Sequence, residues 1–201
     1  MKTQVRRSVF ETNSSSTHSI SIVKESSNTH FPSVVEFNVG EFGWEWENYN
    51  DYLSKASYLY TAILETTQLK VTEDLVDGKK QCKDLIDDKL NKIREALWKY
   101  GIECVFDSYE IKHYDYEVGS GKLKTHNYYP KHNGYIDHGY ELVGWVDRIL
   151  NDEKLLINFL FDNDSVIETG NDNDDCPWRE DFDEFEDMRN TDKYDTYIKG
   201  N

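Results

Sequence analysis

Residues 79–100, KKQCKDLIDDKLNKIREALWKY, decide the fold class. Cys82, Leu85, Ile86, Leu90, Ile93, Leu97 and Trp98 recur at steps of three and four, the repeat that aligns side chains on one face of an α-helix. The other face is rich in Lys, Asp and Glu and belongs in water, and Gly101 is the residue that ends such a helix. Upstream, Leu53, Ala56, Leu59, Tyr60, Ile63 and Leu64 repeat the pattern behind a cap at Asn50 or Asp51. Two long amphipathic helices in mid-chain need an apolar surface to cover.

The flanking sequence supplies that surface as strands. Gln4 to Phe10, His18 to Lys24 and Ser33 to Val39 place apolar residues at roughly two-residue period, and Ile102, Cys104 and Phe106 share one side of a further strand. Tyr109 to Glu117 and Lys122 to Tyr128 read as a hairpin around Gly119-Ser120-Gly121. Gly40 to Trp46 reads as a glycine-bounded aromatic loop, Tyr140 to Leu150 as helix and Ser165 to Thr169 as a last strand. Leu155 to Phe161 is a continuous apolar run that fits either helix or strand. With no internal repeat and no regular βαβ alternation, the order of elements predicts an α+β fold. It is expected to be one domain over residues 1–201, an antiparallel sheet with two long helices in a 1–160 core, followed by an acidic C-terminal segment at 161–201.

Composition narrows the function. The 201 residues carry 23 Lys and Arg against 39 Asp and Glu, a net charge of −16 that argues against direct gripping of nucleic acid phosphates. Aromatics make up 14% of the chain, so the core must be aromatic-heavy and wholesale disorder is disfavoured. No apolar run approaches the roughly 18 residues that span a bilayer, and Met1 to Phe10 has no signal-peptide core, so a soluble cytoplasmic protein is expected. Cys82, Cys104 and Cys176 form no close pair, which fits a reducing compartment. The charge is uneven: residues 161–187 hold 12 acids against the single Arg179.

Three stretches are more polar than their neighbours: Asn13 to His18, Tyr135-Ile136-Asp137-His138 and Gly170 to Cys176. Each follows a structured element, where folds present site residues. The six histidines form no His-x-x-His or His-Glu-x-x-His pattern, so any metal site must be assembled from distant segments. Convergence of His18 and His138 with Cys176 or Asp172 would give the N, S and O donors that suit zinc. A lone His at a strand start is more often a surface or capping residue. Cys82 and Cys104 lie on core faces and read as small hydrophobes, whereas Cys176 has only hydrophilic neighbours. Asp172-Asn173-Asp174 faintly follows a calcium loop but lacks the spaced Gly and closing Glu of an EF-hand. Ser14, Ser15 or Ser16 with His18 as base would make a nucleophile, although no elbow motif surrounds them.

Acidic runs are commonly solubilising tails. This one is interleaved with Trp178, Phe182 and Phe185, which a plain tail does not need. A helix here would anchor Phe182 and Phe185 and present Asp181, Asp183, Glu184, Glu186 and Asp187 on its other face. Carboxylates fixed in that way imitate a phosphate backbone and would dock in the basic channel of a nucleic-acid enzyme.

The run Arg7-Ser8-Val9-Phe10-Glu11-Thr12-Asn13-Ser14-Ser15-Ser16-Thr17-His18-Ser19 resembles a family of proteins carried by phages and prophages of Gram-positive bacteria. The likeness recurs at Gly40 to Trp46, Tyr135 to His138 and Glu168 to Asn173, so His18, Asp137, His138, Asn171 and Asp172 fall inside its motifs. Small acidic phage proteins of this kind include anti-CRISPR inhibitors of type II-A Cas nucleases, and the resemblance implies such a partner and zinc as the metal. Two expectations follow. The first is a non-enzymatic inhibitor of a type II-A Cas nuclease, with structural zinc on His18, His138, Cys176 and Asp172 and with the five carboxylates from Asp181 to Asp187 facing the partner. The alternative is a metal-dependent or Ser/His hydrolase-like phage enzyme built from the polar stretches.

Overall fold

A computed structural model describes residues 17–26, 30–43, 46–72, 77–118, 123–170 and 191–199. Its organising element is strand β1 (Thr17–Val23), buried along its whole length. β1 lies between β10 (Val166–Gly170) and β11 (Tyr194–Lys199) and pairs antiparallel with both; β4 (Glu47–Tyr49) extends the sheet beyond β10, giving the order β11-β1-β10-β4. The polar and apolar alternation of β1 suggests one wet face, yet Thr17, Ser19 and Ser21 are as buried as Ile20 and Ile22. Ser21 and Thr196 hydroxyls meet across the β1–β11 pair at 3.3 Å.

The helices form where the apolar spacing places them. α1 (Tyr52–Thr66) is capped by the Asp51 carboxylate, which accepts from Ser54 N–H at 2.9 Å. Nearly every residue from Lys55 to Leu64 is buried, so α1 is the central helix rather than a surface one, and of the predicted stripe only Leu53 faces solvent. α2 (Gly78–Trp98) buries Cys82, Ile86, Leu90, Ile93 and Leu97 but leaves Leu85 and Trp98 43% and 76% exposed, a narrower stripe than the sequence suggests. A 3₁₀ turn at Gly139–Leu142 leads into α3 (Val143–Asn151). The ambiguous run at Leu155–Phe161 is helix α4 (Glu153–Phe161), because Asp152 turns the chain out of α3 and its carboxylate accepts from Leu155 N–H at 3.0 Å.

Smaller sheets complete the α+β fold. β5 (Leu69–Val71), β8 (Leu123–Lys131) and β7 (Glu110–Val118) form an antiparallel sheet that contains the expected hairpin. Two parallel pairs join β2 (Val34–Phe37) to β6 (Glu103–Phe106) and β3 (Glu41–Phe42) to β9 (Tyr135–Ile136), so the strands do not form one antiparallel sheet. The core is aromatic, as composition requires: Tyr58 packs edge-on against Phe42 and Trp145, and Trp145 against Phe159. The Gln4–Phe10 strand, the Gly119–Gly121 turn and the acidic residues 171–190 lie outside the described residues. Both flanks of that acidic segment belong to the main sheet, as β10 and β11, and Arg148 on α3 ion-pairs Asp195 on β11.

Candidate functional site

β1 carries His18 into the interior, where it is fully solvent-inaccessible. Its Nδ1 shares a 2.7 Å hydrogen bond with the hydroxyl of Tyr58, delivered from the buried face of α1. Complete burial pushes the Tyr58 phenol well above its ordinary range, so it stays neutral. On the Nε2 side lies the backbone of Gly43, at φ +102°, where a Cβ would stand 2.8 Å from His18 Nε2 and 3.2 Å from Asp137 Cβ. Only glycine fits there: the backbone conformation and the space both exclude a side chain.

Gly43 and Asp137 meet because two loops interlock. Tyr135 N–H donates to Gly40 O at 2.7 Å and Asp137 N–H donates to Phe42 O at 3.1 Å, extending the β3–β9 pair. The Asp137 carboxylate is nearly buried and accepts from Tyr135 Oη at 2.6 Å. His138 follows in the left-handed region (φ 53°), the single described non-glycine residue with positive φ, a conformation that costs about 1–3 kcal/mol. Its Nε2 lies 4.0 Å from Asp137 Oδ1 and its Nδ1 3.7 Å from Glu141 Oε1. The third polar stretch enters through β10, whose Gly170 and Thr169 are register partners of Thr17 and His18. The described parts of four separated stretches, at 17–19, 40–43, 135–138 and 168–170, thus meet around the buried His18, with Glu41 and Tyr135 on the exposed side.

Comparison with protein-family models, curated proteins and solved structures finds no match. The centre must be read on its own chemistry. It places a buried imidazole–phenol pair, His18 and Tyr58, across Gly43 from the buried Asp137 carboxylate, which accepts from the exposed Tyr135 hydroxyl; each pair can hold a proton, and both tie the loops together.

A second cluster stands on the hairpin. His113 and Asp115 are two apart on β7 and share a face, and His126 on β8 is the register partner of Asp115. Asp115 Oδ1 lies 2.8 Å from His113 Nε2 and 2.8 Å from His126 Nδ1, while its Oδ2 accepts from Lys124 Nζ at 2.6 Å. The Lys124 contact, with help from His126, holds the Asp115 carboxyl below its usual range. The imidazole of His113 stacks on Tyr128 at 4.5 Å and on His126 at 5.6 Å.

Of the residues singled out by the sequence, His18, Asp137 and His138 are described, and the first two flank Gly43. Asp172, Cys176, Asp181, Asp183, Glu184, Glu186 and Asp187, like Ser14, Ser15 and Ser16, lie outside the described residues. Among the described residues, neither His18 nor His138 joins a group of three metal-type ligands; the group that forms is His113, Asp115 and His126. Contiguous motifs cannot reveal that group. Counting outward from Gly119 and Gly121 does not reveal it either, since a turn centred on residue 120 would set 115 against 125; the ladder pairs Asp115 with His126. Cys82 is buried and its thiol donates to Tyr128 O at 3.4 Å, and burial pushes the Cys104 thiol to about 11, so both behave as packing residues.

Proposed function

We propose that this protein is a phage-encoded inhibitor that docks its acidic segment on a host type II-A Cas nuclease, in the channel that otherwise receives target DNA. The observation that carries the reading is how the segment is held. β10 and β11 both run antiparallel to β1 and therefore parallel to each other, on opposite sides of it. The chain leaves β10 at Gly170, opposite Thr17, and re-enters at Tyr194, opposite Val23. Those anchors are about 20 Å apart along a buried strand, at roughly 3.3 Å per residue. Between them residues 171–190 carry nine acids against Arg179 and Arg189. Both flanks of that charge are strands of the main sheet, which a solubilising tail would not need.

The reading is tested on the assembled nuclease. Affinity should fall as salt rises, because exposed charge pairs are screened over about 8 Å at physiological ionic strength, and target DNA bound beforehand should protect the nuclease. Replacing Asp181, Asp183, Glu184, Glu186 and Asp187 with Asn or Gln should abolish most inhibition while the melting temperature holds or rises. Salt-independent affinity, or full inhibition by that variant, refutes the mimicry.

The enzyme reading rests on the buried His18, Tyr58 and Asp137 centre beside the strained His138. It requires that His18→Gln destroy a chemical activity on some substrate while leaving binding to the nuclease unchanged.

A further inference from the structure

We propose that the β7–β8 hairpin holds a divalent transition metal, zinc by its donor set, on His113 Nε2, His126 Nδ1 and Asp115 Oδ1. The inference is independent of the inhibitor reading and moves the metal away from His18 and His138. Its basis is geometric. The three ligand atoms lie within 4.8 Å of one another, and both imidazole nitrogens aim at the same carboxylate oxygen. Tetrahedral zinc with bonds of about 2.0–2.1 Å separates its ligand atoms by about 3.3 Å, so the two 2.8 Å contacts open by about half an ångström while the two nitrogens, within 4.8 Å of each other, draw together.

The surroundings hold the donors in place. Asp115 and His126 are fixed opposite each other by the antiparallel ladder. His126 is buried to 7% side-chain exposure, and His113 is sandwiched between His126 and Tyr128. Tyr128 is held in turn by the backbone of Gly78 at the start of α2, where a Cβ would come within 2.3 Å of its ring. Lys124 occupies the far oxygen, Oδ2, which orients the carboxylate and leaves Oδ1 to the metal, the role that outer partners commonly play for metal ligands. His113 and Asp115 remain about one-third exposed on their side chains, so an ion can enter and a water can complete the shell. Each imidazole coordinates as the neutral ring, its proton carried on the other nitrogen.

Two nitrogens and one oxygen select zinc, cobalt or nickel over magnesium and calcium, which prefer all-oxygen shells. The probe is the metal alone, titrated into full-length, chelator-treated protein against a chromophoric chelator, with NMR of the histidine rings as a second readout. One zinc per chain should bind, and the His113 and His126 resonances should move while that of His18 stays. Asp115→Asn and His113→Ala, both at part-exposed positions, should each weaken binding at least about 100-fold, since even losing an outer partner costs about 10–100-fold. His18→Gln should bind as the parent does. Circular dichroism of the apo variants verifies that they fold, and zinc should raise the melting temperature of the parent but not of Asp115→Asn. Unchanged affinity in both hairpin variants, zinc displaced equally well by magnesium, or no binding by the parent would each overturn the assignment.

Discussion

Lys55 is a charge in the wrong solvent, and its titration can be read as stability. It lies on α1 with no accessible surface, donating from Nζ to Asp162 O at 2.7 Å and to Ser165 O at 3.1 Å. Burial lowers its pKa from 10.5 to about 8, against the pull of the Asp162 and Asp51 carboxylates. The folded pKa is below the unfolded one, so between these values the unfolded chain binds more protons and stability rises with pH. Below pH 8 the contribution is flat, at a penalty of about 3 kcal/mol for keeping the ammonium buried. From pH 7 to pH 9 the relief amounts to about 1.3 kcal/mol. Tyrosines and cysteines with raised pKa values work in the opposite direction, so the comparison is with Lys55→Met, which keeps them all. Urea unfolding at pH 7, 8 and 9 should show the parent gaining about 1.3 kcal/mol on the variant, or roughly 0.6 M in midpoint for a slope near 2 kcal/mol/M. Parallel profiles would refute the reasoning and mean that Lys55 is charged in the folded protein at pH 9.

Two further perturbations probe the polar centre. Gly43→Ala should cost about 3 kcal/mol, because φ +102° strains any side chain and the new methyl meets a His18 ring pinned by Tyr58; urea unfolding measures the loss, and the His18 ring resonances should shift while those of His113 do not. Tyr58→Phe keeps the ring contacts to Phe42 and Trp145 and removes only the hydroxyl opposite His18 Nδ1, so it should cost about 1–3 kcal/mol; a neutral result would mean that this hydrogen bond carries no stability.

The elements that sequence reveals are those that complete at least two repeats of their own period, about four residues for a strand and about two turns for a helix. α1, α2 and the β7–β8 hairpin are legible because their apolar spacing persists over nine or more residues, and β1, β2, β6 and β10 because four to seven residues suffice for a two-residue alternation. β3, β9, β5 and β4 have two or three residues each and no period to detect. β11 hides for another reason: its Asp195 and Thr196 are buried, which hydropathy reads as exposed, and Arg148 supplies the charge partner that makes the burial tolerable. Of the polar centre, His18 and Asp137 stand out as polar residues among apolar strands, whereas Tyr58 reads as one more core aromatic on a helix face. Its role follows only from the 40-residue separation that the fold closes.

β1 joins an anchor of the acidic segment to the buried His18–Tyr58 pair. Its first residue, Thr17, pairs with the residue at which the acidic segment begins, and the next, His18, is the imidazole of the buried centre. A substitution that unseats His18 therefore disturbs an anchor of the acidic segment as well as any proton chemistry. If the proposed nuclease inhibition holds, its loss in a His18 variant would not by itself assign catalysis. The separation comes from the charge: if His18 acts only by holding the anchor, its variant should bind more weakly while keeping the parent's salt dependence, because all nine carboxylates of residues 171–190 remain. A variant that loses activity on a substrate and retains both affinity and salt dependence would place chemistry in the centre, with the acidic segment serving a different purpose.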